Sequence, residues 1–209
     1  NLIMGLEQIL RIIFSYLIGS TSGSMLMGKI RGVDIRTMGS GNAGGTNAFR
    51  TQGTIFALTV VVIDIAKGYI ATYYISGDFG HGSLLGILCG IAAVLGHVYP
   101  AYYNFKGGKG AGTLVGILIG LHPFALLISF TVWLFILVLT GYVGLSTMLA
   151  GISFPMVIYA DMGGLNSNMG SFSIIMALFL IFTHRSNIVR MLQGNENRFE
   201  KIMVFRKRS

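Results

Sequence analysis

Charged residues are scarce in this chain of 209 residues, where Asp, Glu, Lys and Arg together make up 11%. An average soluble domain has about 25%. Hydrophobic residues reach 53%, and the mean hydropathy is +0.72. This composition excludes an ordinary soluble domain. It predicts an all-α, polytopic membrane protein, because a helix satisfies its own backbone hydrogen bonds in lipid.

Cysteine is nearly absent: the sequence has only Cys89, which excludes an intramolecular disulfide. This residue lies within an apolar run, and we interpret it as a packing residue. No combination of His, Cys and carboxylate residues has the spacing of metal ligands. We therefore expect neither a metal ion nor another cofactor.

Acidic residues are fewer than basic ones, seven against fifteen, and the net charge is +8. Thirteen of the fifteen Lys and Arg residues lie in three segments at the ends of apolar runs, namely 29–50, 102–109 and 185–209. This distribution is typical of cytoplasmic loops in membrane proteins. A nucleic-acid binder would instead carry a basic face interleaved with aromatic residues, so we expect no nucleic-acid partner.

Seven apolar runs are candidates for membrane-spanning helices. They are 7–28, 54–76, 83–100, 110–121, 123–140, 143–160 and 171–184. The fourth run would reach only about 18 Å as a helix, and it could form one kinked helix with the fifth at His122-Pro123. Placing the three basic segments on one side of the membrane requires these two runs to be separate spans. We therefore predict seven spans in a single domain, 1–209, with the N-terminus outside and the C-terminus cytoplasmic.

Glycines recur every fourth residue at the start of and within two of these runs. They are Gly82, Gly86 and Gly90, and Gly112, Gly116 and Gly120. Small residues at this spacing share one helix face and allow two backbones to approach closely in lipid. We expect both sets to be packing surfaces without a chemical role.

The first polar segment, residues 38–50, reads MGSGNAGGTNAFR. Its glycines permit backbone geometry that turns successive N–H groups towards one anion. Short polar side chains and one arginine accompany them: Ser40, Asn42, Thr46, Asn47 and Arg50. The guanidinium of Arg50 suits a phosphate. Residues 39–44 also fit G-x-G-x-x-G, but no strand precedes them, which excludes a dinucleotide site. The alternative is a flexible inter-helix loop.

The second polar segment, residues 105–113, reads FKGGKGAGT and leads into the fourth apolar run. A glycine-rich turn before a helix binds phosphate through N–H groups and the positive end of the helix dipole. Lys109 adds a charge between Gly108 and Gly110. The pattern is not a P-loop, because glycine follows the lysine where Ser or Thr would bind magnesium. Alternatively, Lys106 and Lys109 only set the topology.

The third polar segment, residues 184–198, begins with His184 at the end of the last apolar run. On a helix, Asn187 shares a face with His184. A histidine in this position is commonly an interfacial residue hydrogen-bonded to water. The neighbouring amide on the same face favours a functional role instead.

Two ionisable residues, Asp64 and Lys67, lie within the second apolar run and can form an i, i+3 pair. Ionisable groups inside a membrane are candidates for function. Their position leaves a structural and a functional role equally open. His97, before Tyr99-Pro100, is interpreted as structural.

The three polar segments together resemble the signature of the acyl-phosphate-dependent glycerol-3-phosphate acyltransferases, the PlsY family. That signature has a GSGNPGATN-type loop ending in Arg, a G-H-x-F/Y-P stretch leading to KGGKG, and H-R-x-N-I-x-R followed by G-x-E. The matching residues here are 39–50, 96–110 and 184–196. Ala43 replaces the usual proline and Gly45 the usual alanine, which makes the first loop more flexible. Arg198 stands where lysine is common.

The resemblance implies transfer of a fatty acyl group from acyl-phosphate to the 1-hydroxyl of glycerol 3-phosphate, giving lysophosphatidic acid. It also implies a bacterial inner membrane, an active site at the cytoplasmic face, and a soluble enzyme that supplies acyl-phosphate. We expect the phosphate-binding residues to meet at one cytoplasmic mouth. The rival classes are an organophosphate transporter, against which the lack of an internal repeat argues, and a purely structural membrane protein.

Site residues follow from the three segments. Those expected to act in catalysis are Ser40, Lys109, His184 and Asn187. Those expected to bind substrate are Asn42, Thr46, Asn47, Arg50, Gly107, Gly108 and Gly110. His184 is either a general base or a group that orients the substrates while the phosphate accepts the proton. Glu196 and Glu200 are remote along the chain, so neither is assigned the role of base.

Overall fold

The computed structural model describes residues 4–80 and 82–204, and every regular element within these ranges is helical. The ten α-helices of this part of the chain are α1 Leu6–Gly19, α2 Gly23–Arg31, α3 Gly45–Gln52, α4 Thr54–Tyr69, α5 Leu84–Val98, α6 Ala111–Leu121, α7 Pro123–Thr140, α8 Val143–Met162, α9 Asn168–Thr183 and α10 Arg185–Leu192. Three short 3₁₀ turns lie at Ile35–Thr37, Ala101–Tyr103 and Glu200–Ile202. The all-helical prediction is confirmed for the residues that the structure describes.

The chain divides into two compact units, Asn1–Pro123 and Phe124–Ser209. The first contains all of the first two polar segments, and the second contains the third. The single domain expected from the sequence therefore remains a prediction.

In the first unit, close backbone approaches through glycine join neighbouring helices. A Cβ added to Gly96 of α5 would collide with the Tyr16 carbonyl of α1, and one added to Gly116 of α6 would collide with the Ile65 carbonyl of α4. A Cβ on Gly120 would lie 3.0 Å from Oγ1 of Thr72. The predicted packing role of the glycine set on α6 is confirmed, since it faces α4 and the π-helical turn Ile70–Ile75 that extends α4.

A small apolar core supports the first polar segment. Phe56 and Val60 of α4 are fully buried together with Ala48 of α3 and Ile35. These contacts fix α3, which carries three of the predicted site residues, against the membrane-spanning α4.

In the second unit, α8 packs against α9 through an edge-to-face contact of Phe154 and Phe172, whose ring centroids are 5.9 Å apart. The chain bends by 51° between α9 and α10, at His184. The segment after α10 returns to the end of α7, where the N–H of Phe199 donates to the Gly141 carbonyl at 2.8 Å.

Among the residues that the structure describes, four helices could cross a membrane by length and composition, or up to six if each of two bent pairs is one span. The bent pairs are α1 with α2, at 41°, and α9 with α10. The run 7–28, expected to be one helix, is broken after Gly19, and a new helix begins at Gly23 with Ser22 as its N-cap, whose side chain accepts from the N–H of Met25. Helix α6 is apolar but shorter than a full span. The count of seven spans and the orientation of the termini remain predictions.

Candidate functional site

Asn47 organises the first polar segment from inside. Its side chain is buried, at 1% exposure, in the first turn of α3. Its amide nitrogen lies within 2.9–3.0 Å of three carbonyl oxygens, those of Ile35, Met38 and Asn42. Its amide oxygen accepts from the N–H of Ser40 at 2.9 Å. Asn47 therefore determines the shape of the loop.

The loop presents Ser40 on a tight turn. Gly39 and Gly41 on either side have φ angles of 55° and 72°, in the left-handed region that glycine adopts without strain. A Cβ on Gly39 would collide with the amide oxygen of Asn47. Ser40 is half-buried.

Two further predicted substrate-binding residues lie on α3. Thr46 and Arg50 are four residues apart, so they share one face of the helix, and both are half-buried. Asn42, also half-buried, precedes the helix in the loop, where its carbonyl accepts from Asn47. The first unit thus brings a hydroxyl, an amide and a guanidinium into one short segment.

The second polar segment forms a turn held by the C-terminal end of α5. The N–H of Gly107 donates to the Val98 carbonyl and that of Gly108 to the His97 carbonyl, both at 3.1 Å. Gly110 has φ of 90° and caps the N-terminus of α6, directly after half-buried Lys109. The predicted placement of this lysine at the start of a helix is confirmed.

These bonds change the expected role of two glycines. The N–H groups of Gly107 and Gly108 were expected to face a phosphate, but they are used to hold the turn against α5. The N–H groups in the first turn of α6, Ala111–Thr113, have no acceptor within the helix, as in any α-helix. A phosphate at this end of α6 would meet those donors and the positive end of the helix dipole.

Arg36, two residues before the first polar segment, bonds to the chain at the second polar segment, a contact that no sequence pattern indicated. Its guanidinium donates to the carbonyls of Tyr103 and Lys106 at 3.2 and 3.3 Å. It also pairs with Asp34, with Nη2 and Oδ2 2.7 Å apart. Hydrogen bonds from this guanidinium hold the pKa of Asp34 below its usual value.

In the second unit, His184 is buried at the end of α9, with 5% exposure. Its Nδ1 lies 2.8 Å from the Leu180 carbonyl oxygen. Because a carbonyl oxygen can only accept, Nδ1 carries a hydrogen, and Nε2 is the nitrogen that can accept a proton in the neutral ring. The backbone of α9 therefore fixes both the orientation and the tautomer of His184.

Asn187, also buried, is oriented by a glutamate that sequence reasoning set aside. Its amide nitrogen donates to Oε1 of Glu196 at 3.1 Å, while Nε of Arg190 donates to Oε2 at 2.7 Å. The Glu196 side chain is only 4% exposed. Glu196 was set aside because it is remote along the chain, but the turn after α10 brings its side chain back to Asn187. Its place within the third segment was the available signal.

Within residues 4–80 and 82–204, no group of three or more His, Cys, Asp and Glu side chains is arranged to hold a metal ion.

Comparison with known proteins gives a consistent result. Residues 9–194 match the family described as glycerol-3-phosphate acyltransferase. The chain is 39% identical over 218 residues to the glycerol-3-phosphate acyltransferase of Chlorobium limicola, covering 88% of this chain and 93% of that protein. It is 37% identical over 194 residues to that of Aquifex aeolicus, covering 93% and 100%.

Two solved structures have a similar fold. Both are of PlsY (YgiH), an integral membrane glycerol 3-phosphate acyltransferase. The glycerol 3-phosphate form is 37% identical, with a TM-score of 0.86, and the lysophosphatidic acid form is 36% identical, with a TM-score of 0.84. Each covers 92% of this chain and 95% of the solved one.

Proposed function

This chain belongs to the glycerol-3-phosphate acyltransferase family, and we propose that it transfers a fatty acyl group from acyl-phosphate to the 1-hydroxyl of glycerol 3-phosphate. The products are lysophosphatidic acid, which stays in the membrane, and inorganic phosphate. The observation that carries the proposal is the similarity to PlsY, whose two solved forms are named for glycerol 3-phosphate and for lysophosphatidic acid. The three polar segments of this chain, which resemble the signature of that family, support it.

The bond changes are simple. The 1-hydroxyl oxygen attacks the acyl carbon, the new ester C–O bond forms, and the bond from that carbon to the phosphate oxygen breaks. The hydroxyl proton must leave as the ester forms. Because acyl-phosphate is already activated, its departing phosphate can accept this proton, and a strong protein base is unnecessary.

Positively charged groups and hydrogen-bond donors would bind the two phosphate-bearing substrates and stabilise the negative charge of the leaving phosphate. We assign Ser40, Asn42, Thr46 and Arg50 to binding the phosphate-bearing head groups, with Lys109 and the first turn of α6 stabilising charge on the leaving phosphate. Holding two reactants together can contribute about 7–11 kcal/mol in model reactions. Asn47 supports this binding by shaping the loop.

Gly107, Gly108 and Gly110 contribute to binding through the path of the turn. Two of them bond to α5, and the third caps α6, so together they set the position of Lys109. A side chain at Gly107 would collide with the His97 carbonyl. In this assignment the glycines act by lacking a side chain, not by donating to phosphate.

His184 and Asn187 are proposed to orient the reacting groups by hydrogen bonding. The rival proposal makes Nε2 of His184 the general base, which its tautomer allows. Measuring turnover of His184→Gln against pH separates the two. An orienting group predicts a loss with the acidic limb of the profile intact, whereas a base predicts a loss of roughly 10²–10⁴-fold with that limb abolished.

The chain is proposed to have seven spans, with its C-terminus and active site at the cytoplasmic face of a bacterial inner membrane. A soluble enzyme that makes acyl-phosphate would then reach the site directly. Single cysteines introduced into 102–109 and 185–200, in a Cys89→Ala background, test this in inverted vesicles. Labelling of both segments only from the cytoplasmic side is expected, and labelling of the two from opposite sides would contradict it.

The activity is tested with purified protein in lipid, given acyl-phosphate and labelled glycerol 3-phosphate. Labelled lysophosphatidic acid is expected, with none formed when acyl-CoA or acyl-carrier protein replaces acyl-phosphate. Arg50→Lys keeps the charge but loses the bidentate geometry and should be defective. Arg31→Lys makes the same exchange at an exposed position and serves as the control. Uptake of label into vesicles without a new lipid would instead favour a transporter.

A further inference from the structure

Three ionisable side chains are buried together in the first unit, and none of them belongs to the site assigned above. They are Asp64 and Lys67 of α4 and His97 in the last turn of α5, each with 3% exposure. Nζ of Lys67 lies 3.0 Å from Oδ1 of Asp64, which confirms the pairing predicted from their spacing. Charges inside a membrane are costly, so this cluster calls for an explanation.

The ammonium of Lys67 has three hydrogens and three acceptors. Besides Asp64, these are the carbonyl oxygen of Thr21 at 2.7 Å and Nδ1 of His97 at 2.8 Å. Because an ammonium can only donate, Nδ1 accepts, and the neutral ring carries its hydrogen on Nε2. The cluster thus has no net charge, and Lys67 fixes the orientation of the His97 ring.

The same cluster joins separate parts of the first unit. Thr21 lies at the break between α1 and α2, and Oδ1 of Asp64 accepts from the N–H of Gly23, the first residue of α2, at 3.4 Å. One carboxylate and one ammonium therefore connect this break with α4 and with the C-terminal end of α5.

On its other side, the cluster touches the second polar segment. The His97 carbonyl accepts from the N–H of Gly108 at 3.1 Å. A Cβ on Gly108 would collide with Nε2 of the His97 ring, so the turn passes directly over this edge. A Cβ on Gly112, in the first turn of α6, would lie 3.3 Å from Cβ of Asp64. The cluster thus contacts the chain both before Lys109, at Gly108, and after it, at Gly112.

We propose that Asp64, Lys67 and His97 are positioning residues that hold the turn 107–110, and with it Lys109, at the start of α6. Lys67 fixes the His97 ring, and His97 fixes Gly108 by its carbonyl and by its ring edge. The link to catalysis rests on the proposed function, in which this turn meets a substrate phosphate. A displacement of about 1 Å in such a group can cost roughly 10²-fold in rate.

The first test uses Asp64→Asn/Lys67→Gln, a double variant that removes both charges and leaves no uncompensated charge in the membrane. A loosened turn should raise KM at least tenfold for the one substrate whose phosphate meets it, and leave the other KM unchanged. A merely structural role would reduce the amount of folded enzyme, and so lower turnover without changing either KM.

His97→Asn is the companion variant, since its amide oxygen can still accept from Lys67, whereas its side chain is too short to replace the ring edge that faces Gly108. The backbone bond from Gly108 to the carbonyl of residue 97 remains. The same KM should rise. Combining it with the double variant should give no further increase, because residues that act through one contact are not additive. Independent, multiplying effects on KM would contradict the proposed chain of contacts.

Ser83→Ala is the matched control at the opposite end of α5, about 21 Å from His97 along the helix. Its hydroxyl caps that end by accepting from Gly86 at 3.1 Å. The substitution should lower thermal stability and leave both KM values unchanged.

Hydrogen exchange provides a readout that does not need activity. The Asp64/Lys67 and His97 variants should accelerate amide exchange in the peptide 105–114, while Ser83→Ala should not. Unchanged exchange there would overturn the positioning role even if KM shifts. Failure of the wild-type protein to form lysophosphatidic acid would refute the proposed function alone, because the exchange comparison tests the positioning role separately.

Discussion

Replacing Asn47 by Ala tests whether this side chain builds the first loop. The change removes an amide whose two hydrogens are shared among three carbonyl oxygens, and whose oxygen accepts from the N–H of Ser40. This is equivalent to three hydrogen bonds, which at about 1 kcal/mol each contribute about 3 kcal/mol to the ordered loop. Only the bond to Ile35 is fully buried, and water can replace part of the others. We therefore expect a loss of about 2–3 kcal/mol.

That loss corresponds to a roughly 30- to 150-fold larger population of the open loop. The measurement is amide hydrogen exchange in the peptide 38–45, made in lipid nanodiscs, together with turnover. Exchange should accelerate by this factor, and turnover should fall because Ser40 is no longer held. Helix content by circular dichroism should not change, because α4 and its core contacts remain.

Thr51→Val provides the control on the same helix. The hydroxyl of Thr51 donates to the Asn47 carbonyl at 2.9 Å, a local bond that does not reach the loop. Its removal should leave both exchange in 38–45 and turnover near wild type. If Asn47→Ala abolishes turnover while the loop exchanges at the wild-type rate, Asn47 acts by direct contact with substrate and the building role is refuted.

Three further predictions concern other contacts. Glu196→Gln keeps one acceptor but loses the charge that faces Arg190, a hydrogen bond that contributes about 1.5–3 kcal/mol. Turnover should therefore fall about tenfold or more. Turnover at the wild-type level would show that the buried carboxylate is dispensable. The lowered pKa of Asp34 means that its ionised form stabilises the fold above pH ~4 and that this contribution is lost as the pH falls through the lower folded-state value. Asp34→Asn should therefore flatten the acidic part of the plot of unfolding temperature against pH, and parallel curves for the two proteins would contradict this. Gly116→Ala should destabilise the protein by roughly 1–3 kcal/mol because its Cβ would collide with backbone, whereas Gly112→Ala meets a side-chain atom at 3.3 Å and should be milder; equal unfolding temperatures would contradict that ranking.

The helices were predictable because they depend on local patterns. Apolar runs gave all the long helices, and glycine spacing gave the face of α6 that packs on α4. The break after Gly19 was missed, since the hydroxyls of Ser20 and Thr21 can also lie inside a membrane helix. In the structure the hydroxyl of Ser22 instead caps a new helix, α2, which continues at an angle of 41° to α1.

The site was predictable as a set of residues but not as a set of contacts. Composition pointed to Asn47 as a polar side chain in a glycine-rich loop, but could not tell a side chain that faces a ligand from one that faces its own backbone. The contact of Lys67 with His97 spans 30 residues along the chain. Such long-range contacts depend on how helices pack, and no local period encodes them.

In the second polar segment, different residues fix the turn and supply the positive charge, whereas the sequence analysis assigned all of them to phosphate binding. Gly107 and Gly108 use their N–H groups to fix the turn on α5, whereas Lys109 and the first turn of α6 supply positive charge at the helix terminus. A substitution in the first pair should therefore act through position, and Lys109→Gln through charge. Because a charge effect is screened and a positional one is not, raising ionic strength should weaken phosphate binding in wild type and in Gly108→Ala, and should have much less effect in Lys109→Gln.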